Sequence, residues 1–153
     1  MYFFAYGVNM SHSHLFALCP GAKFIGEGEL SDYLLIFDGF SPDYRGSVVN
    51  LEQSHDDAVC GGIFDISEGH LKAMDDDHGY PRHSERSLME IRRPGDQPRL
   101  KAWVYHHEPL ADGMPSHEYL DLMIKGAREC NLPEEYIKDS IEIYRRASDR
   151  NKH

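Results

Sequence analysis

Hydrophobic residues in the first two thirds of the chain fall in short runs that are separated by polar turns. The run at residues 2–6 is mostly aromatic and too short for a helix, and the run at 33–37 is bounded by serine, aspartate and glycine residues. Runs of this length and composition predict β-strands. Five further runs of the same kind predict strands at residues 22–28, 47–51, 58–66, 87–91 and 100–106.

The last third of the chain changes to helical spacing. Tyr119 and Met123 stand four residues apart within an apolar pattern that predicts a helix over residues 117–130. Asn131 followed by Glu134 has the spacing of a capping box, which predicts the start of a final helix. Two shorter helices are predicted at residues 11–18 and, with Ser67 as the N-cap, at 68–76.

Strands therefore dominate the first part of the chain and helices the last part. Because the strands do not alternate with long helices, the pattern disfavours a parallel α/β sheet and predicts an α+β fold with an antiparallel or mixed sheet. A chain of 153 residues fits one domain with its own core. We expect a single domain over residues 1–147 and a flexible polar tail over 148–153.

Composition narrows the class of protein. The formal net charge of −10 argues against non-specific nucleic-acid binding, which needs a basic surface. No apolar run approaches the roughly 18 residues that a membrane span needs, and no signal-peptide pattern is present. The three cysteines are far apart and form no CxxC pair, so we expect reduced thiols in a cytoplasmic protein and no disulfide framework.

The loop after the first strand is the first candidate for ligand binding. Gly7 interrupts the aromatic run and Asn9 follows two residues later. Glycine and asparagine tolerate positive φ, so the strand is predicted to end in a sharp turn. Backbone N–H groups in such a turn can converge on an anion. The alternative from these residues alone is an ordinary turn after a core strand.

A cluster of acidic residues around His78 is the best candidate for acid–base chemistry. Asp75, Asp76 and Asp77 precede His78, and Gly79 follows at the predicted end of a short helix. We expect the three carboxylates to favour the charged form of the imidazole. A histidine in such surroundings can act as base and then as acid near neutral pH. The alternative is a solvated acidic helix end.

Other chemistry has little support in the sequence. The closest histidine pairs, His12 with His14 and His106 with His107, lack the spacing of HExxH and have no partner cysteine pair. No metal site is therefore predicted. The GxSxG, P-loop and GxGxxG patterns are also missing, so covalent serine chemistry and nucleotide binding are unsupported.

Three stretches resemble the γ-glutamylcyclotransferase family, which includes the AIG2-like proteins. FAYGVNM at residues 4–10 is similar to the family's FAYGSN loop. CGGIFDIS and LKAMDDDHGYP, within residues 60–81, are similar to its strand, short helix and LDxxEG segment. PSHEYLDLMIKGARECNLPEEY, at residues 115–136, follows the family's pattern of PS, Tyr, GA, LP and EY. The three matches come in family order and span nearly the whole domain.

The resemblance implies a fold, a reaction and an assembly. The fold is a mixed, mainly antiparallel β-barrel or curved sheet surrounded by short helices. In the reaction, the α-amine of a γ-glutamyl amide or amine attacks its own γ-carbonyl, 5-oxoproline forms, and an amino acid or amine leaves. The family uses no metal or organic cofactor, and a homodimer is its implied assembly.

The resemblance also implies roles for particular residues. His78 falls on the position of the family's catalytic glutamate and becomes the candidate base. Val8 replaces the serine of the family's loop, and a family pocket tyrosine falls near Ser84 or Glu85. The residues implied to bind the substrate are the backbone of Tyr6, Gly7, Val8 and Asn9 and the side chains of Tyr105 and Tyr119.

Three hypotheses follow for the activity. In the first, His78 replaces glutamate as the base and the protein remains a cyclotransferase. In the second, Asp77 or Glu85 performs this step from a shifted position. In the third, the protein is catalytically silent and binds a small amino-acid-like metabolite or a protein partner. None of the three involves a nucleic acid or a membrane.

Overall fold

Five strands form one sheet, and short helices pack around it. The structure is a computed structural model that describes residues 1–151, with side chains described up to residue 147. The strands are β1 (Tyr2–Ala5), β2 (Lys23–Ser41), β3 (Gly46–Asp65), β4 (Glu85–Ile91) and β5 (Leu100–His106). The α-helices are α1 (His12–Leu18), α2 (Glu68–His78), α3 (His117–Glu129), α4 (Glu134–Tyr136) and α5 (Ile143–Asn151), with a 3-10 turn at Val8–Met10 and a π-helical segment at Ile137–Glu142.

The sheet is mixed but mainly antiparallel. Its strand order is β2-β3-β1-β5-β4, and only the β1–β5 pair is parallel. The sheet curls until its two edges meet at one point, where the backbones of Glu29 and Arg92 exchange two hydrogen bonds of 2.9 Å. No ladder joins β2 to β4 among the described residues, so the sheet stays open. The predicted α+β architecture is confirmed in its curved-sheet form, and the closed-barrel alternative is wrong.

Two long, bulged strands stand where the sequence predicted four short ones. β2 and β3 form one continuous hairpin with register shifts near Phe24, Asp32 and Asp38. Asp32 and Asp56 both adopt a φ of 66°, and the Asp56 N–H donates to Asp32 Oδ1 at 3.2 Å. The polar residues that the sequence predicts as strand ends therefore form a β-bulge, and the pairing of β2 with β3 continues beyond it.

The central strand β1 carries the aromatic run that opens the chain. Phe3, Phe4 and Ala5 are buried because β3 and β5 flank them on both sides. Leu120 and Met123 of α3 are fully buried in the same core. Each such side chain stabilises the fold by about 1.5–3 kcal/mol through loss of exposed apolar surface. The predicted first strand and the predicted apolar face of α3 are both confirmed.

Helix α2 begins as its sequence predicts and ends at His78, two residues beyond the predicted end at Asp76. The Ser67 hydroxyl accepts a hydrogen bond from the His70 N–H at 3.2 Å, and His70 Nδ1 accepts one from the Ser67 N–H at the same distance. Gly79 ends the helix in the left-handed conformation, with φ 69°. A residue without Cβ is favoured there, so the helix stops directly after His78. This fixes where the His78 side chain leaves the helix.

The predicted capping box at Asn131 and Glu134 is wrong. Asn131 instead adopts a φ of 62° just beyond the end of α3. Pro133 occupies the N-cap of α4 and forms no side-chain capping bond. The Glu134 carboxylate accepts a hydrogen bond from Arg128 Nε at 3.2 Å instead.

The C-terminal end of the chain is only partly described. The backbone is helical to Asn151, and residues 152–153 lie outside the described residues. The flexible tail at 148–153 and the domain boundary at 147 therefore stay predictions. None of the helices within residues 1–151 combines the length and the apolar character that crossing a membrane requires.

Candidate active site

A cavity of about 800 Å³ opens where β1 and β5 end beside α2 and α3. It brings together segments from distant parts of the chain: the loop after β1, the end of α2, the start of β4 and the start of α3. The nine residues predicted as catalytic or substrate-binding candidates all line the cavity: Tyr6, Gly7, Val8, Asn9, Asp77, His78, Glu85, Tyr105 and Tyr119.

The loop after β1 needs glycine at position 7. A Cβ atom there would lie 2.7 Å from Val49 Cγ2 and 3.5 Å from the Tyr119 hydroxyl. The chain then forms a 3-10 turn in which the Met10 N–H donates to the Gly7 carbonyl at 3.1 Å. Within residues 1–151, no turn or cap hydrogen bond uses the N–H groups of residues 6–9. The loop geometry is compatible with the predicted binding of an anionic group.

Two tyrosine hydroxyls beside this loop form hydrogen bonds to the backbone of the sheet. The Tyr6 hydroxyl donates to the Tyr105 carbonyl at 2.6 Å and ties the loop to the end of β5. Burial, with smaller contributions from Tyr119 and Asp38, raises the pKa of the Tyr6 hydroxyl far above its ordinary value, so it stays a donor. The Tyr119 hydroxyl accepts from the Val49 N–H at 3.1 Å, which leaves its own proton for donation.

His78 presents one defined ring nitrogen. Its Nδ1 lies 2.8 Å from the Met74 carbonyl, one turn back in α2. Because a carbonyl oxygen only accepts, Nδ1 carries the proton of the neutral ring and Nε2 has the lone pair. Nε2 has no hydrogen-bond partner among the described residues and is not one of the buried unpaired atoms. A lone pair is therefore open at a residue that lines the cavity.

The protonation of His78 differs from the sequence prediction. Burial lowers the pKa of the imidazole below its ordinary value. The hydrogen bond to the Met74 carbonyl and the charges of Asp77 and Asp75 oppose this effect but do not outweigh it. Asp77 and Asp75 do favour the charged ring, as predicted, but loss of solvation dominates and the net shift favours the neutral ring. The side chain keeps 26% exposure, so protons still reach it from solvent.

Tyr105 connects His78 to an ion pair below the cavity. The Tyr105 hydroxyl donates to Asp75 Oδ1 at 2.6 Å. Arg86 donates to both Asp75 oxygens, at 2.8 and 3.2 Å, and its guanidinium lies 4.4 Å from the ring centroids of Tyr80 and Trp103. Tyr105 therefore already donates within the protein and can only accept from a substrate.

Asp75 is held in its charged form by these partners. Burial by itself would raise the pKa of the Asp75 carboxyl, but hydrogen bonds from Arg86 and Tyr105 and the charge of Arg86 bring it below its ordinary value. A paired carboxylate of this kind is a structural anchor rather than a free base. The sequence showed Asp75 as one of three equivalent acids, and only the fold distinguishes it.

The two alternative bases are more solvated than His78. The Asp77 side chain is 51% exposed, with Oδ2 4.0 Å from His78 Nδ1. The Glu85 side chain is 58% exposed, with Oε2 3.5 Å from His106 Nδ1. Ser84 donates through its hydroxyl to the His78 carbonyl at 2.9 Å and so supports the turn after α2. Both acids line the cavity, but neither has the defined orientation of the His78 ring.

Sequence reasoning missed two groups of this site. Arg86 anchors Asp75, and its signal in the sequence is only a basic residue in a short strand. His107 lines the cavity and contacts the buried Asp38 behind it, although the sequence considers His107 only as a metal ligand. A charged residue directly after the apolar run at 33–37 was the available signal for Asp38.

Several solved structures share this fold. One called gamma-glutamyl cyclotransferase superposes with a TM-score of 0.85 at 23% identity, over 90% of this chain and 84% of that chain. YkqA from Bacillus subtilis superposes with a TM-score of 0.76 at 18% identity, over 90% of this chain and 51% of that chain. At these identities the comparison establishes the fold.

Sequence comparison reaches the same group of proteins. A mouse protein named gamma-glutamylcyclotransferase is 26% identical over 141 residues, which are 88% of this chain and 73% of that protein. Its human counterpart is 25% identical with the same coverage, 88% and 73%. The sequence model of the AIG2-like family matches residues 58–139, more than half of the chain. The protein therefore belongs to the AIG2-like family.

Proposed function

We propose that the protein is a γ-glutamylcyclotransferase-like enzyme. It cyclises a γ-glutamyl amide or amine to 5-oxoproline and releases the amino acid or amine, which makes it an amide-cleaving acyltransferase. The observation that carries the proposal is that His78, whose Nε2 has no hydrogen-bond partner among the described residues, lines the same cavity as the loop at residues 6–9. The names of the mouse and human relatives support the same reaction.

The cavity has the parts that an intramolecular attack requires. The α-nitrogen and the γ-carbonyl belong to one molecule, so the enzyme gains most by holding the substrate in a curled conformer. The backbone of residues 6–9 binds the α-carboxylate, and the free proton of the Tyr119 hydroxyl hydrogen-bonds the glutamyl group. Position 7 has no side chain, because a Cβ atom there would lie less than 3 Å from Val49. This part of the loop backbone is therefore uncovered.

His78 supplies the base. The substrate ammonium is unreactive until a proton is removed, and Nε2 of the neutral imidazole accepts that proton. The lowered pKa keeps the ring neutral at neutral pH, so the base form is the resting form. After ring closure, the leaving nitrogen takes up a proton and departs as the free amine or amino acid. Asp77 and Glu85 remain the alternative bases.

Incubation with a panel of γ-glutamyl compounds tests the proposal. The panel contains γ-glutamyl amino acids, a γ-glutamyl alkylamide, the benzylamide and the p-nitroanilide, and 5-oxoproline is measured by chromatography. We expect enzyme-dependent 5-oxoproline from at least one compound, above the uncatalysed rate. No 5-oxoproline from any of them, with protein shown to be folded by circular dichroism, would reject the enzymatic role.

A catalytically silent binding protein is the second candidate. The observation that favours it is the histidine at position 78, where the resemblance places a catalytic glutamate. Such a protein would keep the cavity and bind an amino-acid-like metabolite without turnover, or bind a protein partner. Ligand-dependent thermal stabilisation without 5-oxoproline formation would support this candidate over the enzyme.

The cellular setting is proposed from the same features. Three free cysteines fit a reducing compartment such as the cytoplasm. We propose a homodimer without metal or organic cofactor, as the resemblance implies. Light scattering after size exclusion measures the assembly, and activity retained after dialysis against a chelator tests independence from metal.

A further inference from the structure

A fully buried carboxylate lies beside the cavity, outside the residues used so far. The Asp38 side chain has no exposed surface, and it accepts hydrogen bonds from Asn50 Nδ2 and the Leu110 N–H, each at 3.1 Å. Its other oxygen lies 2.5 Å from His107 Nε2. Burying an ionised carboxylate is unfavourable unless donors satisfy it, and here three donors do so.

Asn50 locks the segment that carries His107. Asn50 Nδ2 donates to the His107 carbonyl at 2.9 Å, and the His107 N–H donates to Asn50 Oδ1 at 3.1 Å. The backbone at His107 is therefore held without help from the imidazole. The contact between the imidazole and Asp38 is an additional interaction beside these two hydrogen bonds.

The Asp38 contact determines which nitrogen of His107 can react. A carboxylate accepts, so Nε2 carries a proton and Nδ1 is the nitrogen that gains or loses one. Among the described residues Nδ1 has no hydrogen-bond partner, and it is not one of the buried unpaired atoms. His107 lines the cavity with 16% of its side chain exposed.

We infer that His107 is a second catalytic residue, which protonates the leaving nitrogen through Nδ1, and that Asp38 is the positioning residue that holds its ring. The inference rests on the proposed cyclisation. His78 and His107 then divide the proton transfers between them. His78 is fixed between the Met74 carbonyl and the Tyr105 ring and takes the proton from the ammonium. His107 donates a proton to the departing amine.

The proton count of the reaction needs both groups. The α-nitrogen loses two protons on its way from ammonium to lactam N–H, the first to His78 Nε2. A C–N bond forms to the γ-carbon, and the original γ-C–N bond breaks as His107 Nδ1 gives its proton to the leaving nitrogen. The second proton from the α-nitrogen returns to solvent or to the released amine, and exchange with solvent restores both rings.

The test uses leaving groups of different basicity. p-Nitroaniline departs without prior protonation, whereas benzylamine and amino acids need a proton to leave. Replacing the acid as His107→Gln should lower kcat for the benzylamide or amino-acid amide by about 10²–10⁴-fold, the usual contribution of a general acid. The p-nitroanilide should lose less than about threefold. Asp38→Asn should show the same selectivity with a smaller loss.

The design separates catalysis from folding. A partly unfolded sample loses activity on every substrate equally, so the ratio between leaving groups is independent of the folded fraction. The double variant Asp38→Asn/His107→Gln should lose no more than His107→Gln alone, because both substitutions remove one function. His55→Gln is the control, since its side chain is 89% exposed on the β2–β3 hairpin and does not line the cavity.

The outcomes distinguish this inference from the proposed function. Equal losses along the leaving-group series, or no loss in His107→Gln, overturn the inference and leave the cyclotransferase activity intact. Absence of 5-oxoproline from the wild-type protein with every panel compound overturns both. A loss confined to basic leaving groups, shared by the two single variants, supports the inference.

Discussion

The imidazole of His78 lies flat on the phenol ring of Tyr105, with ring centroids 4.0 Å apart and 9° between the ring planes. The Tyr105 hydroxyl is in turn bound to Asp75, which pairs with Arg86. The ring that presents the candidate lone pair is therefore supported by β5, and its orientation depends on an ion pair outside the cavity. This relationship makes the site sensitive to residues that no substrate touches.

Removing the Tyr105 hydroxyl should destabilise the fold without displacing the ring. Tyr105→Phe keeps the surface on which His78 packs but removes the donor to Asp75. We expect a loss of about 1.5–3 kcal/mol in the free energy of unfolding, the range for a hydrogen bond to a charged group. Urea unfolding monitored by circular dichroism measures it, and Tyr2→Phe, at the half-buried start of β1, is the matched control. Equal stability of Tyr105→Phe and the wild type would contradict this account of the hydroxyl.

The protonation of His78 should be visible in solution. Its pKa is lowered, so a histidine titration followed by NMR should place its midpoint below the ordinary value of about 6.5. The acid limb of the pH profile of kcat/KM should have its midpoint at the same pH, because only the neutral ring accepts a proton. A midpoint at or above the ordinary value would contradict the dominance of burial.

The same shift predicts how stability depends on pH. Between the folded-state pKa of His78 and about 6.5, the unfolded chain binds more protons than the folded chain. The free energy of unfolding should therefore rise with pH across this window, and this contribution is lost as pH falls through it. His78→Gln should flatten the slope in that window, as measured by urea unfolding at several pH values. An unchanged slope would contradict the predicted linkage.

Asp77 should shift the pKa of His78 without replacing it as the base. The negative charge of Asp77 raises the pKa of the imidazole, so Asp77→Asn should lower that pKa further. NMR titration of the variant measures the change. The acid limb should move to lower pH, and the loss in plateau kcat should be far smaller than that of His78→Gln. Abolished activity in Asp77→Asn with an unshifted His78 titration would identify Asp77 as the base.

Two glycines should respond in opposite ways to the same substitution. A Cβ at Gly61 would lie 2.3 Å from the Ala5 carbonyl oxygen and 2.7 Å from the Phe4 ring. Gly61→Ala forces β1 and β3 apart and should cost about 1–3 kcal/mol or more. At Gly69, in the first turn of α2, the nearest atom is Ser67 Oγ at 3.7 Å, so Gly69→Ala should stabilise by about 0.4–1 kcal/mol. Thermal unfolding compares the two, and a neutral Gly61→Ala would contradict the close β1–β3 packing.

Local patterns in the sequence predicted several of the secondary-structure elements. The aromatic run at residues 2–6, the Ser67 cap and the Gly79 stop each follow from nearest neighbours and were confirmed. The meeting of residues 6–9 with His78 and Tyr105 was expected only through resemblance to a family, because no local rule relates positions so far apart.

The charges and pKa shifts of the site could be determined only from the fold. Asp75, Asp76 and Asp77 are equivalent in the sequence, yet only Asp75 meets Arg86 and Tyr105. Asp38 and His107 are 69 residues apart, and their contact depends on the register of β2 and on the turn after β5. Burial of His78, which reverses the expected direction of its pKa shift, likewise arises from tertiary packing.

The most direct measurement is kcat/KM for 5-oxoproline formation by the wild-type protein and by His78→Gln, with the best panel compound at neutral pH. The account predicts measurable wild-type turnover and a loss of about 10²–10⁴-fold in the variant, at unchanged folding by circular dichroism. Equal turnover by the two proteins would contradict His78 as the base, even though the fold and the cavity would stand.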